Sequence, residues 1–324
     1  MKYFKTRKAF TLLEVIFVII ILGIVASIGS TIVVQLFDNY LTQRAMYRVS
    51  LKTELAVEQI VNRLAYRIDS SVIVRDLTVA GLNNFTPLED FNYGNSQITP
   101  QALEWIGYEN DSFSSRGVPG WSGYCDTVAT VNRIIAGNRT RVVTPGSNLQ
   151  YANTVIRNLS GNTKRLRDAA LLFAVNNEFT KGNFIAQPAR CYGYIDNTCI
   201  HTVGGRNGQN QIRLDNNLAT NTNISPLYKL AWSAYAIVPT NIRHNNSLFD
   251  LELHYNYQPW DGMQYDNPNT RISTLIRNVT SFKYSELGGT IRIKLCATEQ
   301  LGGTVADDVA AQNISVCKEK VVIR

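Results

Sequence analysis

The sequence predicts an α+β protein in which a long N-terminal α-helix packs on an antiparallel β-sheet head with long loops. Three stretches support this fold class. Residues 15–37 form an uncharged, mostly apolar run. Residues 57–68 place apolar side chains three and four positions apart, as a helix with one buried face requires. Residues 248–257 alternate apolar and polar side chains, as a strand with one buried face requires.

The first element is a basic lead-in followed by the uncharged run. Four Lys or Arg residues and no acid precede Phe10, and the run from Val15 to Phe37 is 23 residues long. As a helix it measures about 34 Å, which matches a hydrocarbon core of about 30 Å. The apolar region of a secretory signal peptide is shorter. The pattern therefore predicts a single membrane span with the lead-in in the cytoplasm and the head on the other side.

Glu14 is the carboxylate next to this run. An ionised side chain in hydrocarbon costs at least a few kcal/mol and normally marks a function. An ordinary signal anchor, whose Glu14 only reaches toward the lipid headgroups, is the alternative to a functional role.

The segment Ala9–Val15, Ala-Phe-Thr-Leu-Leu-Glu-Val, with Gly23 inside the apolar run, resembles the prepilin N-terminus of type IV pilins and type II secretion pseudopilins. The resemblance implies that a prepilin peptidase cuts between Ala9 and Phe10 and that the new amine of Phe10 is methylated. It also implies that Thr11 and Glu14 serve filament assembly, Glu14 by neutralising the N-terminal amine of a neighbouring subunit. Ala9 stands where the family usually has Gly.

The same resemblance implies the partners and the location. The partners are the prepilin peptidase, other pilins or pseudopilins through the helix, inner-membrane lipid and, indirectly, an assembly platform and its ATPase. The chain then divides into a leader (1–9), a transmembrane and assembly half of the helix (10–37), an amphipathic half (38–70) and an extracytoplasmic head (71–324). A helix from Phe10 to Ser70 would be about 90 Å long.

The head has two parts of different character. Residues 71–225 are rich in Asn, Gly, Ser and Thr, and we expect short strands, such as 141–143 and 169–175, joined by long loops. Residues 226–324 indicate a β-meander. It contains a strand at 248–257, a hairpin that turns at Gly288-Gly289, and a last strand at 316–323.

Five cysteines follow the predicted span, on the side where disulfides can form. Cys191 and Cys199 are spaced for a short stapled loop, and a Cys296–Cys317 bridge would tie the last two strands, which leaves Cys125 unpaired. Sequence alone does not fix this connectivity. Zinc is the alternative, although the sequence has no Cys-x-x-Cys motif and no His pair.

Catalytic and binding motifs are scarce. The formal charge of +7 falls to +3 without the lead-in, which does not suggest a dedicated nucleic-acid binder. We interpret His254 as a solvated side chain on the polar side of a strand, and His201 as lacking partners for a ligand role. The acids at Asp215 and at Asp307–Asp308 lack the spacing of a calcium loop. No cofactor or metal is expected.

The densest basic spots are Arg139–Arg141 and Lys164–Arg167. We interpret them as solvated turns, or as phosphate contacts if the protein takes up DNA.

Together these features predict a non-enzymatic minor pilin or minor pseudopilin that primes assembly at or near the filament tip. A tip adhesin or DNA-uptake receptor is the alternative within the same architecture. A membrane-anchored extracytoplasmic enzyme or sugar-binding protein is the alternative from another class.

Overall fold

The structure is a computed structural model that describes residues 11–68, 71–81, 84–92, 100–114, 117–137, 140–175, 178–179, 200–215, 224–243, 247–300 and 313–323. Its contacts divide the chain into two compact units. The first comprises Met1–Leu51 and Thr298–Val316, and the second comprises Lys52–Ala297 and Cys317–Arg324.

The helices are α1 (Leu12–Leu64), α2 (Asn110–Phe113), α3 (Thr127–Ile135) and α4 (Leu149–Leu159). The strands are β1 (Ile73–Asp76), β2 (Phe85–Pro87), β3 (Gln101–Tyr108), β4 (Arg141–Val143), β5 (Ala170–Val175), β6 (Glu178–Phe179), β7 (His201–Arg206), β8 (Gln211–Leu214), β9 (Tyr228–Arg243), β10 (Leu248–Tyr257), β11 (Arg271–Leu287), β12 (Thr290–Gln300) and β13 (Asn313–Val322).

Helix α1 confirms the predicted long N-terminal helix but ends earlier than predicted. Its 53 residues measure about 80 Å. The predicted end at Ser70 is wrong, because the chain leaves the helix after Leu64. The Ile68 N–H donates to the Ile106 carbonyl of β3 at 2.9 Å, so a backbone donor needed for another helical turn is used by the sheet instead.

The sheet is antiparallel and confirms the α+β fold class. Its strand order is β13-β12-β11-β10-β9-β5-β7-β8-β4, with β1 pairing β2 and β3. Strand β9 is 16 residues long and lies at the centre, pairing with β10, β3 and β5. The predicted strands at 141–143 and 169–175 correspond to β4 and β5.

The C-terminal meander is present as predicted. Gly288 and Gly289 have φ of 60° and 79°, the left-handed values that a two-residue hairpin turn between β11 and β12 requires. The alternation along β10 is less regular than predicted because Asn256, at φ 68°, interrupts it. Tyr255 is half-buried, whereas Tyr257 is fully buried.

The loop-rich part of the head contains helices that the sequence analysis missed. Asp126 caps α3 by accepting from the Ala129 N–H at 2.9 Å, and Asn148 caps α4 by accepting from the Tyr151 N–H at 3.3 Å. These caps, followed by apolar residues three and four positions apart, were the available signal. The apolar face of α4 is buried and consists of Leu149, Ala152 and Ile156.

The last turns of α1 belong to the same unit as most of the sheet. Val57, Ile60 and Leu64 have no exposed surface. On the exposed side, Lys320 of β13 forms ion pairs with Glu54 and Glu58. Buried apolar side chains and surface ion pairs together fix the end of α1 to the sheet.

Candidate functional site

The first turn of α1 is closed by its own side chains. The Thr11 hydroxyl accepts from the Glu14 N–H at 3.4 Å, and Glu14 Oε2 accepts from the Thr11 N–H at 3.3 Å. The Thr11 hydroxyl also lies 3.3 Å from Glu14 Oε2, to which it donates. This reciprocal arrangement is a capping box, which satisfies two backbone donors at the start of a helix. The Thr-x-x-Glu spacing is the sequence signature of a capping box, although the sequence analysis assigned Thr11 and Glu14 only to assembly.

After the capping box, α1 presents an apolar surface that none of the described residues covers. Every side chain from Thr11 to Tyr40 is exposed, and Glu14 is the one charged residue between Leu12 and Phe37. By length and composition this part of α1 is suited to cross a membrane. So large an apolar surface is stable only in lipid or against other apolar helices.

Several residues singled out in the sequence lie outside the described residues. They are the predicted cleavage and methylation positions Ala9 and Phe10, the predicted Cys191–Cys199 pair, and Asp307–Asp308, which were not assigned a calcium site.

Cys296 and Cys317 form a disulfide bridge, the pairing expected for the last two strands. It joins β12 to β13 across a sequence separation of 21. Cys125 is a free, buried thiol whose pKa is raised to about 11 by desolvation. Such a thiol is almost entirely protonated at neutral pH and therefore unreactive.

The interpretation of His254 as a solvated surface residue is wrong. Its side chain is buried, and its Nδ1 lies 2.8 Å from the Tyr265 carbonyl, while the two rings meet edge to face. The segment after β10 covers this face of the strand, which alternation within β10 alone cannot reveal. His201 is half-buried, and desolvation lowers its pKa.

The sequence analysis also missed a buried carboxyl group, Glu109. It accepts from the Ser112 N–H at 2.8 Å and from the Trp121 indole at 3.0 Å, and it is hydrogen-bonded to the Ser112 hydroxyl. Burial raises the pKa of Glu109. The contacts fix α2 beside Trp121, and we assign Glu109 a structural role.

No group of three His, Cys, Asp or Glu side chains is placed to hold a metal ion in the part of the chain that the structure describes. Of the two basic spots, Lys164 is half-buried beside Met263, whereas Arg165 and Arg167 are exposed. Arg141 lies on β4 rather than in a turn.

Comparison with known proteins finds a known sequence motif at the start of the chain. The family model for the prokaryotic N-terminal methylation motif matches residues 4–30. No curated protein and no solved structure matches the chain. The matched segment contains Ala9, Phe10 and the Thr11–Glu14 capping box. The motif and the apolar helix are consistent with a type IV pilin-like protein anchored by one membrane pass, and the motif implies processing by a prepilin peptidase and assembly with other pilins.

Proposed function

We propose that this protein is a structural minor subunit of a type IV pilus or type II secretion pseudopilus. It is made as a prepilin, cut between Ala9 and Phe10 by the prepilin peptidase, methylated at Phe10, and inserted at or near the filament tip, where it primes assembly. The single observation that carries the proposal is that the methylation motif at residues 4–30 coincides with the exposed apolar part of α1, in which Glu14 is the one charged residue between Leu12 and Phe37.

The chemistry of this segment supports a role in assembly. An apolar helix with one carboxylate near its start is stable in lipid when the charge has a partner. In the isolated subunit the Thr11 donors accompany that carboxylate. In a filament, the N-terminal amine of a neighbouring subunit is a stronger partner, because two opposite charges then neutralise each other in a low-dielectric environment.

The size of the head supports a position at the tip. Between β3 and β9 the chain adds α2, α3, α4 and a small group of strands to the meander. A bulky addition of this kind packs poorly along a repeating fibre, whereas a tip subunit has no neighbour above it. We assign the head a binding or priming role rather than a catalytic one, and we place it on the extracytoplasmic side of the inner membrane.

Processing is tested by expressing the full chain with an active prepilin peptidase and with an inactive peptidase as the control. Mass spectrometry should find a mature N-terminus at methylated Phe10 only with the active enzyme. A chain that still begins at Met1, or a cut beyond Val25, would contradict the proposal.

Gold labelling of a head epitope tests the position in the filament. It should mark one end of each filament, and uniform labelling along the fibre would exclude a tip position.

A further inference from the structure

Two arginines face each other across β4 and β8. Arg141 is directly opposite Arg213 in the antiparallel register. The adjacent pair is hydrogen-bonded, since the Leu214 N–H donates to the Thr140 carbonyl at 2.7 Å. Arg141 and Arg213 therefore form a non-hydrogen-bonded pair, the type in which facing side chains lie closest. Two positive charges occupy the tightest cross-strand position available.

Both guanidinium groups belong to the outer face of this part of the sheet. The neighbouring pair in the register, Val142 and Ile212, is fully buried in the core on the opposite face. Arg213 is exposed and Arg141 is half-buried. Successive residues of a strand point to opposite faces, so the pair stands on the side away from that core.

No acid neutralises this pair among the residues that the structure describes. Arg213 donates to the Gly204 carbonyl at 2.5 Å, and Arg141 makes neither a hydrogen bond nor an ion pair there. Asp215 is close in sequence, but its Oδ1 lies beside Gly204 and it forms no ion pair with either arginine. Residues 138–140 and 216–223, which flank the two strands, contain no Asp or Glu.

The neighbouring strand contributes no side chain beside Arg213. Gly205 of β7 is paired with Arg213, and the Arg213 guanidinium lies over it, with Nη2 3.5 Å from the position that a Cβ on Gly205 would occupy. Further along β7 and β8, the Asn207 side-chain amide donates to Gln211 Oε1 at 3.0 Å, so two more polar side chains lie near the arginine pair. Like charges placed directly opposite each other destabilise a sheet unless something binds between them. A tetrahedral oxyanion satisfies both guanidinium groups, because each presents a planar fork of N–H donors to two oxygens.

We propose that the outer face of β4, β8 and β7, defined by Arg141, Arg213 and Gly205, is an oxyanion site that takes a phosphate group. Phosphate matches the pair better than a carboxylate because it carries up to two negative charges and has enough oxygens for both arginines. Free phosphate and a phosphodiester chain both present such a group and share this chemistry. The site is independent of processing and of filament assembly.

The experiment measures phosphate binding to the full chain in uncharged detergent by calorimetry and by the melting temperature, against chloride at equal ionic strength. The variants are Arg141→Gln and Arg213→Gln. Arg206→Gln is the matched control, because it removes the same charge from β7 while its side chain contacts Gly208 and Gln150 instead. We expect phosphate to raise the melting temperature of the wild type and of the control.

Each test variant should bind phosphate at least about tenfold more weakly, as expected for the loss of a charge-assisted contact. Without phosphate it should melt no lower than the wild type, because the repulsion is relieved. Equal binding by all four proteins, or equal effects of phosphate and chloride on the wild type, would overturn the proposal. Short duplex DNA distinguishes the sources: DNA binding that phosphate displaces identifies a phosphodiester chain, and binding of phosphate alone identifies a small ion or terminal group.

Discussion

The guanidinium of Arg67 joins the end of α1 to the β11–β12 hairpin by donating to the Gly289 carbonyl at 2.7 Å, across 222 positions of sequence. The same side chain donates to the Leu64 carbonyl at 3.0 Å and is buried. A cation at this position also complements the negative end of the helix dipole. One side chain therefore caps the helix and anchors the hairpin turn.

Replacing Arg67 by Ala should destabilise the head by about 3 kcal/mol, because the buried Leu64 carbonyl and the half-buried Gly289 carbonyl both lose a charged donor. Arg67→Lys should restore less than half, since an ammonium does not reproduce the fork. Urea unfolding followed by tryptophan fluorescence measures this, since all four tryptophans lie in the head. Arg63→Ala is the control, because among the described residues the Arg63 guanidinium donates to Gln59, one turn earlier in the same helix. Equal losses in both variants would contradict the role given to Arg67.

The two roles of Glu14 can be separated by substitution. Glu14→Gln keeps an acceptor for the capping box but removes the charge, Glu14→Ala removes both, and Thr11→Val removes the cap but leaves the charge. If charge pairing drives assembly, both Glu14 variants should enter filaments at least about tenfold less well than wild type, and Thr11→Val should have a smaller effect. Quantitative blotting of purified filaments measures incorporation. Normal incorporation of Glu14→Gln would show that the cap, not the charge, matters.

Loss of the Cys296–Cys317 bridge should lower the stability of the head by about 3 kcal/mol, the value expected for a closed loop of this length. The paired substitution to Ser should therefore lower the urea midpoint without changing its slope. A reducing agent should lower the midpoint of the wild type by at least the same amount. Any shift that a reducing agent still causes in the double variant would come from another bridge, such as the predicted Cys191–Cys199 pair.

The ion pairs of Lys320 make the head sensitive to acid. The hydrogen bond from Lys320 lowers the pKa of Glu54 below 4.5, and the Glu54 and Glu58 carboxylates raise the pKa of Lys320. A carboxyl group with a lowered folded-state pKa stabilises above its unfolded pKa, and that contribution disappears as the pH falls through the folded value. Lys320→Met should therefore flatten the fall in melting temperature below pH 5. Because solvent reaches the ion pairs, whose side chains are half-exposed, 1 M salt should weaken the effect in the wild type, and a salt-independent profile would contradict it.

Local sequence patterns predicted those parts of the fold whose geometry depends only on residues close together in the sequence. The Gly288-Gly289 turn and the apolar run after Glu14 are of this kind, because the turn and the helix follow from nearby residues alone. The end of α1 at Leu64 could not be predicted from local sequence, since the Ile68 N–H bonds to the distant Ile106 carbonyl instead of continuing the helix. The burial of His254 depends in the same way on Tyr265.

The candidate sites also differ in whether their residues are close in the sequence or are brought together only by the fold. Thr11 and Glu14 are three positions apart, so their capping box was readable in the sequence. Arg141 and Arg213 become neighbours only through the pairing of β4 with β8. Their basic character was visible, but their opposition across two strands was not.

The ion pairs that join β13 to α1 imply an order of folding. Lys320 meets Glu58 across 262 positions, so this contact closes a very long loop. Such contacts form late, and the N-terminal helix leaves the ribosome long before its partner strand is made. Until then β12 lacks its neighbour and presents an unpaired edge to other chains. The growing polypeptide thus passes through a vulnerable stage that ends only when its final strand arrives.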